Sequence, residues 1–285
     1  MSDTPIAGKA RGRKAIFITG AASGMGRQTA RLFRQKDWFV GLTDVNREGL
    51  SQLEEEIGSD NCYVGCVDVA DKQALDEALE DFARETGGKL DLLFANAGIG
   101  ESGWFEDVPF DAAVRLVQVN LIGVIASIYA ALPLLRATPG SLVFITSSSS
   151  ATHGMPRIAV YSATKFAVKG LAEALSIEFS RFGVRVADVL PGLIDTAILR
   201  NTPNRSGDRS KPSEDVFYAT APKRGMFRLL PPETVAQTVW AAYQEPHRVH
   251  WYVPRELAWI DRLKAIFPGL IRERIARQMT RFNSE

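Results

Sequence analysis

The chain predicts a doubly wound α/β fold, a parallel sheet covered by helices on both faces. Three observations point there. Short apolar runs rich in β-branched and aromatic residues alternate with longer amphipathic ones. Several short runs are apolar at nearly every position, the pattern of central parallel strands buried on two sides. The length of 285 residues suits one such domain, read as 1–254, with a helical C-terminal extension over 255–285.

In chain order, strands are expected at 15–19 (AIFIT), 38–43 (WFVGLT), 63–67, 90–95 (LDLLFA), 141–146 (SLVFIT), 184–190 (VRVADVL) and 251–253. Helices are expected at 26–35, 47–57, 71–84, 110–135, 161–181 and 233–244. Residues 116–135 carry no charge and approach the length of a membrane span. Gln118, Asn120, Ser127 and Pro133 within the run, and basic Arg115 and Arg136 on both flanks, favour instead a helix buried in a core or between subunits. The rhythm breaks at 200–228, a stretch rich in Pro, Ser, Gly and charge. It is read as the centre of a substrate loop over about 197–230. The tail carries seven Lys/Arg against four Asp/Glu, with Leu257, Ile260, Leu263, Ile266 and Phe267 at roughly helical spacing. Terminal helices packed on the body, or a contact with a membrane surface or partner, would explain it.

Composition removes several classes of function. With 34 Lys+Arg against 33 Asp+Glu, the net charge of +1 gives no general attraction to nucleic acid. Two cysteines, Cys62 and Cys66, cannot build a disulfide framework and suit a reducing compartment. Three histidines (His153, His247 and His250) without metal-ligand spacing leave no metal site in prospect. The polar, basic N-terminus lacks a signal-peptide core. A cytoplasmic protein with no integral membrane span is expected.

The chemistry should follow the strand ends, because an open parallel sheet binds its ligands there. The first strand runs into TGAASGMG, Thr19 to Gly26, and a helix opens at once. Gly20, Gly24 and Gly26 let the backbone turn tightly and approach a ligand, and the helix start offers free N–H groups to a pyrophosphate. The spacing is G-x-x-x-G-x-G, not the commoner G-x-G-x-x-G. The second strand ends at Asp44, placed for the hydroxyls of an adenosine ribose. A carboxylate beside a 2′-phosphate is a like-charge clash of about 1–4 kcal/mol at 4 Å, so NAD is favoured over NADP. Nearby Arg27 and Arg47 are the residues that would soften that clash. Tyr161 and Lys165 stand at i and i+4, on one helix face, where an ammonium favours the phenolate and makes Tyr161 a candidate proton donor and acceptor.

These motifs occur together with Ala95-Asn96-Ala97-Gly98 after the fourth strand, Asn120 in a helix, serines 147–150 after the fifth, and Pro191-Gly192 after the sixth. In that order they make residues 14–253 resemble the short-chain dehydrogenase/reductases. The resemblance implies a Rossmann-like fold and a nicotinamide cofactor. It aligns Gly20, Ser23, Gly24, Met25 and Gly26 with the pyrophosphate turn, Asp44 with the ribose-binding acid, and Asp68 and Val69 with the adenine site. It aligns Asn96, Ala97 and Gly98 with the Asn-Ala-Gly segment, in which Ala95 replaces a common Asn, and Pro191, Gly192, Ile194 and Thr196 with the carboxamide-binding stretch. Tyr161 and Lys165 also face the nicotinamide ribose. The implied catalytic set is Asn120, Ser148, Tyr161 and Lys165. Counting back from Tyr161 selects Ser148, whereas counting from the upstream strand selects Ser147.

The implied reaction is hydride transfer between the nicotinamide and a secondary alcohol or ketone, with Tyr161 and Ser148 on the substrate oxygen. Ile99, Gly100, Trp104, Phe105, His153, Gly154, Met155, Arg157, Leu193, Phe217, Tyr218, Met226 and Phe227 are expected near the substrate. This mostly apolar set favours a hydrophobic or aromatic molecule over a sugar, with Arg157 keeping an acidic group open. The alternatives are an NADP-dependent carbonyl reductase, an epimerase or dehydratase on the same scaffold, and, in a different class, a non-catalytic NAD-sensing protein. A homodimer or homotetramer is expected from the charge-free helix.

Overall fold

The computed structural model describes residues 8–206, 224–270, 272–273 and 275–276. Seven strands form one parallel sheet: β1 (Ala15–Thr19), β2 (Phe39–Asp44), β3 (Cys62–Cys66), β4 (Leu92–Ala95), β5 (Leu142–Thr146), β6 (Arg185–Pro191) and β7 (His250–Val253). The helices are α1 (Gly24–Gln35), α2 (Arg47–Ile57), α3 (Lys72–Thr86), α4 (Phe110–Val117), α5 (Gly123–Arg136), α6 (Ala159–Glu178), α7 (Ala197–Asn201), α8 (Glu233–Gln244) and α9 (Leu257–Ile266). The strand order is β3-β2-β1-β4-β5-β6-β7. It reverses direction between β1 and β4, which opens a crevice at their carboxyl ends.

Alternation along the strands feeds two cores, one on each face of the sheet. Phe17, Phe39, Leu93, Val143 and Val186 pack under α3, α5 and α6 with Leu79, Phe82, Ala131 and Val168. Ile16, Ile18, Val40, Leu42, Phe94, Phe144 and Val189 pack under α1, α2 and α8 with Phe33, Leu53, Val235 and Val239. Both sets are buried, which is why these strands read as continuous apolar runs. Aromatic edges lock each face. Phe82 meets Phe17 at 5.2 Å, and Phe33 meets Trp38 at 4.9 Å and Trp240 at 5.5 Å between ring centroids.

Helix starts follow local chemistry. Asn46 caps α2 by accepting from the Gly49 N–H, Asp71 caps α3 by accepting from Ala74, and Gly87 closes α3 in the left-handed conformation. The expected helix over 110–135 is instead α4 and α5 joined by a π-helical turn, Gln118–Ile122, in which the Gly123 N–H bonds back to the Gln118 carbonyl. Gly123 is required there, because a Cβ would lie 2.6 Å from Val69 Cγ2. The run Phe110–Arg136 is long and apolar enough to cross a membrane by composition. Its inward side (Leu116, Val119, Val124, Ile128, Ala131 and Leu135) is buried in the protein core.

Candidate active site

The cleft at the β1/β4 crossing spans about 770 Å³, counting the open solvent at its mouth. Its walls come from the ends of β1, β2, β3 and β4, from α4 and the π turn, and from the start of α7. They include Gly20, Ser23, Gly24, Met25, Asp44, Asp68, Val69, Asn96, Ala97, Gly98 and Thr196, all expected on a cofactor. Gly20 and Gly24 have φ of +70° and +50°, and Ser23 at the start of α1 makes no side-chain cap, so its first-turn N–H groups stay available to an anion. Gly26 does not line the cleft. It permits α1 to press onto the turn, since a Cβ there would lie 2.1 Å from the Gly20 carbonyl oxygen.

One buried amide holds this wall together. The Asn96 Nδ2 donates to the carbonyls of Thr19 at 3.1 Å and Gly20 at 3.2 Å, and its Oδ1 accepts from Thr146 Oγ1 at 3.1 Å. Thr19 Oγ1 in turn accepts from the N–H groups of Asn96 and Ala97. The Thr146 carbonyl takes the Lys165 Nζ at 2.8 Å. A continuous line of hydrogen bonds therefore runs from the glycine turn through β4 and β5 to α6.

At the adenosine end, Asp44 accepts from the Ala22 N–H at 3.0 Å through one oxygen and from Asn46 at 2.9 Å through the other. Arg27 is turned away onto Glu56, at 3.4 Å, which Arg31 also holds, and Arg47 is exposed on α2. Asp68 accepts from the Ala70 N–H and pairs with Arg115 at 2.5 Å. Arg115 lines the cleft with Val45, Val67, Val119, Ala197 and Ile198, none of which the motifs marked. Their signal is absent locally because the contacts join segments far apart in sequence: Arg115 meets Asp68 across 47 residues.

The other end holds the hydroxyls. Tyr161 and Lys165 share one face of α6, with Nζ 5.6 Å from the phenol ring centroid. The Ser148 hydroxyl lies close enough to the Tyr161 phenol to lower its pKa, and Ser147 donates to the Lys165 carbonyl at 3.1 Å from a fully buried position. Of the two candidate serines, Ser148 is the one at the phenol. Burial pushes the Lys165 ammonium down to about 8. Burial also pushes the Tyr161 phenol up, and the Ser148 hydroxyl opposes that only in part. The upward direction differs from the expectation of an ammonium-stabilised phenolate. Desolvation dominates because the phenol group is buried, and the Lys165 Nζ, 5.6 Å from its ring centroid, donates to the Thr146 carbonyl.

Asn120 sits in the π turn, fully buried, and exchanges two hydrogen bonds of 2.9 Å with the backbone of Ile99. A Cβ on Gly98 would lie 3.2 Å from its Oδ1 and 3.8 Å from Lys165 Nζ, so Gly98 is the gap between the two side chains. Pro191 ends β6, Gly192 donates to the Val253 carbonyl at 2.7 Å, and Ile194 is buried in the core beside Leu230. These three stand off the cleft wall, whereas Thr196 reaches back to it and its Cγ2 fills the space beside Gly24.

On the expected substrate side, Arg157 is tied into structure. Its Nη2 donates to Asn204 Oδ1 at 2.8 Å, its guanidinium lies 6.0 Å from the Trp104 ring centroid, and its carbonyl takes the Gly103 N–H. Arg205 forks onto Glu101 at 2.9 and 3.0 Å, so residues 101–104 and 202–206 run as a paired strap. Burial and Lys264 push His153 down, so it is neutral near pH 7. Met226 and Phe227 lie within the described residues, and Phe217 and Tyr218 lie outside them.

Comparison with known proteins agrees with this geometry. The family described as short chain dehydrogenase matches residues 14–206. A cyclohexanol dehydrogenase of Acinetobacter sp. (strain SE19) is 33% identical over 189 residues, 65% of this chain and 75% of that protein. The crystal structure of a 3-ketoacyl-(acyl-carrier-protein) reductase from Brucella melitensis, complexed with NADH, superposes with a TM-score of 0.72 at 27% identity, covering 84% of this chain and 96% of that one. An alcohol dehydrogenase from the archaeon Thermococcus sibiricus, complexed with 5-hydroxy-NADP, gives 0.69 at 26% identity, covering 84% and 95%.

The buried ammonium has a measurable consequence. With a pKa near 8 in the folded chain against an ordinary 10.5, Lys165 binds fewer protons folded than unfolded between those values. Its contribution to stability is complete above pH 10.5, is lost as pH falls to about 8, and is a constant penalty below that. Urea midpoints at about pH 7.5 and 10 should therefore rise more in wild type than in Lys165→Met. Equal rises would overturn the assignment.

Proposed function

Because the chain belongs to the short-chain dehydrogenase/reductase family, we propose that it is an NAD-dependent oxidoreductase acting on a hydrophobic secondary alcohol or its ketone. One observation carries the reading: the Asn96–Thr146–Lys165 line joins a dinucleotide-shaped cleft directly to a paired phenol and hydroxyl. The residues fit the cofactor. Glycines at positive φ and the free start of α1 suit a pyrophosphate, Asp44 suits ribose hydroxyls, and Lys165 and Thr196 stand toward the nicotinamide end. Bound there, the nicotinamide supplies or accepts the hydride.

This chain's residues handle the oxygen. In oxidation Tyr161 takes the alcohol proton and Ser148 donates a hydrogen bond to the same oxygen. In reduction Tyr161 returns the proton. The oxygen changes charge along the reaction, so two donors held in place beforehand stabilise the transition state without reorganisation. Lys165 lowers the cost of the phenolate and holds the ribose, and Asn120 keeps the Ile99 backbone and the Gly98 gap in place beside it. Residues 1–254 form the catalytic unit and 255–285 its helical extension.

Asp44 supports NAD over NADP. Of the two cations that would soften a 2′-phosphate, Arg27 is already engaged with Glu56, and Arg47 is exposed on α2. Arg205 is paired with Glu101 and His153 is neutral, whereas Arg157 is held by uncharged partners and keeps its charge, so the mostly apolar substrate side supports an uncharged hydrophobic molecule with an acidic group left open. The cyclohexanol dehydrogenase relative is in accord with that class. The exposed apolar residues Phe110, Val114, Ile122 and Tyr129 of the 110–136 run, with exposed Ile177 of α6, support a homodimer or homotetramer closing over these helices.

Three outcomes are expected. Tyr161→Phe should lower kcat at least about a hundredfold with NADH affinity nearly unchanged, and residual turnover within tenfold of wild type would remove Tyr161 from its role. Nicotinamide fluorescence titrations should show tight NADH and weak NADPH, with the preference collapsing in Asp44→Ala. Equal or tighter NADPH binding in wild type would favour an NADP-dependent carbonyl reductase. Sedimentation velocity should show a dimer or tetramer that Tyr129→Glu dissociates, and a wild-type monomer would refute the assembly.

A further inference from the structure

The terminal helix α9 presents two different faces. Its inner face is pinned to the body. Leu257 is fully buried against Gly192, Asp261 accepts from both Lys169 Nζ and the Tyr252 hydroxyl at 2.6 Å, and Lys264 stands 4.5 Å from the centre of the Phe166 ring. Its outer face carries Trp259 (68% exposed), Leu263 (38%) and Ile266 (68%). At i, i+4 and i+7 these occupy one stripe about 60° wide. Phe267 and Leu270 beyond the helix are more than half exposed. A helix packed on a water-facing body normally puts charge on that side. Here the only charged side chain bordering the stripe within α9 is Arg262, its guanidinium 5.7 Å from the Trp259 ring centre.

Charge is distributed to match. Residues 255–285 carry seven Lys/Arg against four Asp/Glu, and the other 254 residues carry 27 against 29. The positive excess of the whole chain lies in the sequence segment that carries the apolar stripe. Of the tail's acids, Asp261 is turned inward and Glu256 is paired with Arg228. We propose that α9 docks this protein on an anionic bilayer surface, with Trp259, Leu263 and Ile266 at the headgroup boundary and Arg262 among the lipid phosphates. A second copy fits less well. Two such stripes related by a twofold axis would bring like charges together, and three side chains bury far less than the roughly 1,200 Å² of a stable interface.

Co-sedimentation of the full-length protein with phosphatidylcholine vesicles, with and without phosphatidylglycerol, tests this. Wild type should bind only the anionic vesicles and should release in high salt. Ile266→Glu and, separately, Trp259→Ser should lower the bound fraction about tenfold while NADH affinity and thermal midpoint stay at wild-type values. Absence of wild-type binding, or equal binding to both vesicle types, overturns the proposal. A dimer that Ile266→Glu splits, without vesicle binding, would assign the stripe to a second copy instead. NADH affinity and turnover are read in the same preparations, so failure of the docking is distinct from failure of the enzymatic reading.

Discussion

The side-chain amide of Asn96 is the constraint on which the site depends. It stands where the strand order reverses, the one place in a doubly wound sheet where two neighbouring strands send their chains to opposite faces and leave a crevice. Backbone carbonyls at such a crossing have lost their ladder partners and cannot all be reached by water. Asn96 supplies donors to Thr19 and Gly20 and an acceptor to Thr146, so three polar groups at the ends of β1 and β5 are satisfied by one amide that follows β4. Each such bond contributes about 1 kcal/mol net, but leaving its buried partners unpaired would cost about 1–3 kcal/mol apiece.

From that amide, geometry passes in two directions. Toward β1 it fixes the glycine turn, whose shape needs Gly20 at positive φ and Gly26 with no side chain under α1. Toward β5 it fixes Thr146, whose carbonyl holds Lys165 and therefore the face of α6 that carries Tyr161. The π turn makes a parallel arrangement within the helix layer it shares with α6. It lets Val69 close on Gly123 and turns Asn120 onto the Ile99 backbone. Wide turns of this kind cost helix geometry and are kept where a side chain must be aimed. Both ends of the cleft are thus held by buried amides and not by loops.

Electrostatics at the reacting end are set by burial. Lys165 is almost inaccessible, which lowers its pKa, and Tyr161 is raised by the same desolvation. The two shifts carry the pKa values apart, the ammonium from 10.5 down to about 8 and the phenol upward from 10, because burial disfavours the charged form of each. At the adenosine end the charges are paired instead, Asp68 with Arg115 and Arg27 with Glu56.

Local pattern determined most of the architecture. Alternating apolar runs located all seven strands to within two residues at each end, and helices 47–57 and 233–244 carried their own caps or boundaries. The glycine turn, Asp44 and the Tyr161-Lys165 spacing were legible because backbone conformation and i, i+4 adjacency are properties of short segments. Tertiary structure alone decided the rest. The break of 110–135 into two helices depends on Val69 pressing against Gly123, and the presence of Arg115 in the cleft depends on Asp68. The place of Ser148 at the phenol depends on a 3-10 turn at 149–151, and the direction of the Tyr161 shift depends on how deeply α6 is buried. These contacts join residues that chain spacing leaves unrelated, and burial is a property of the packed whole, so no window of sequence contains them.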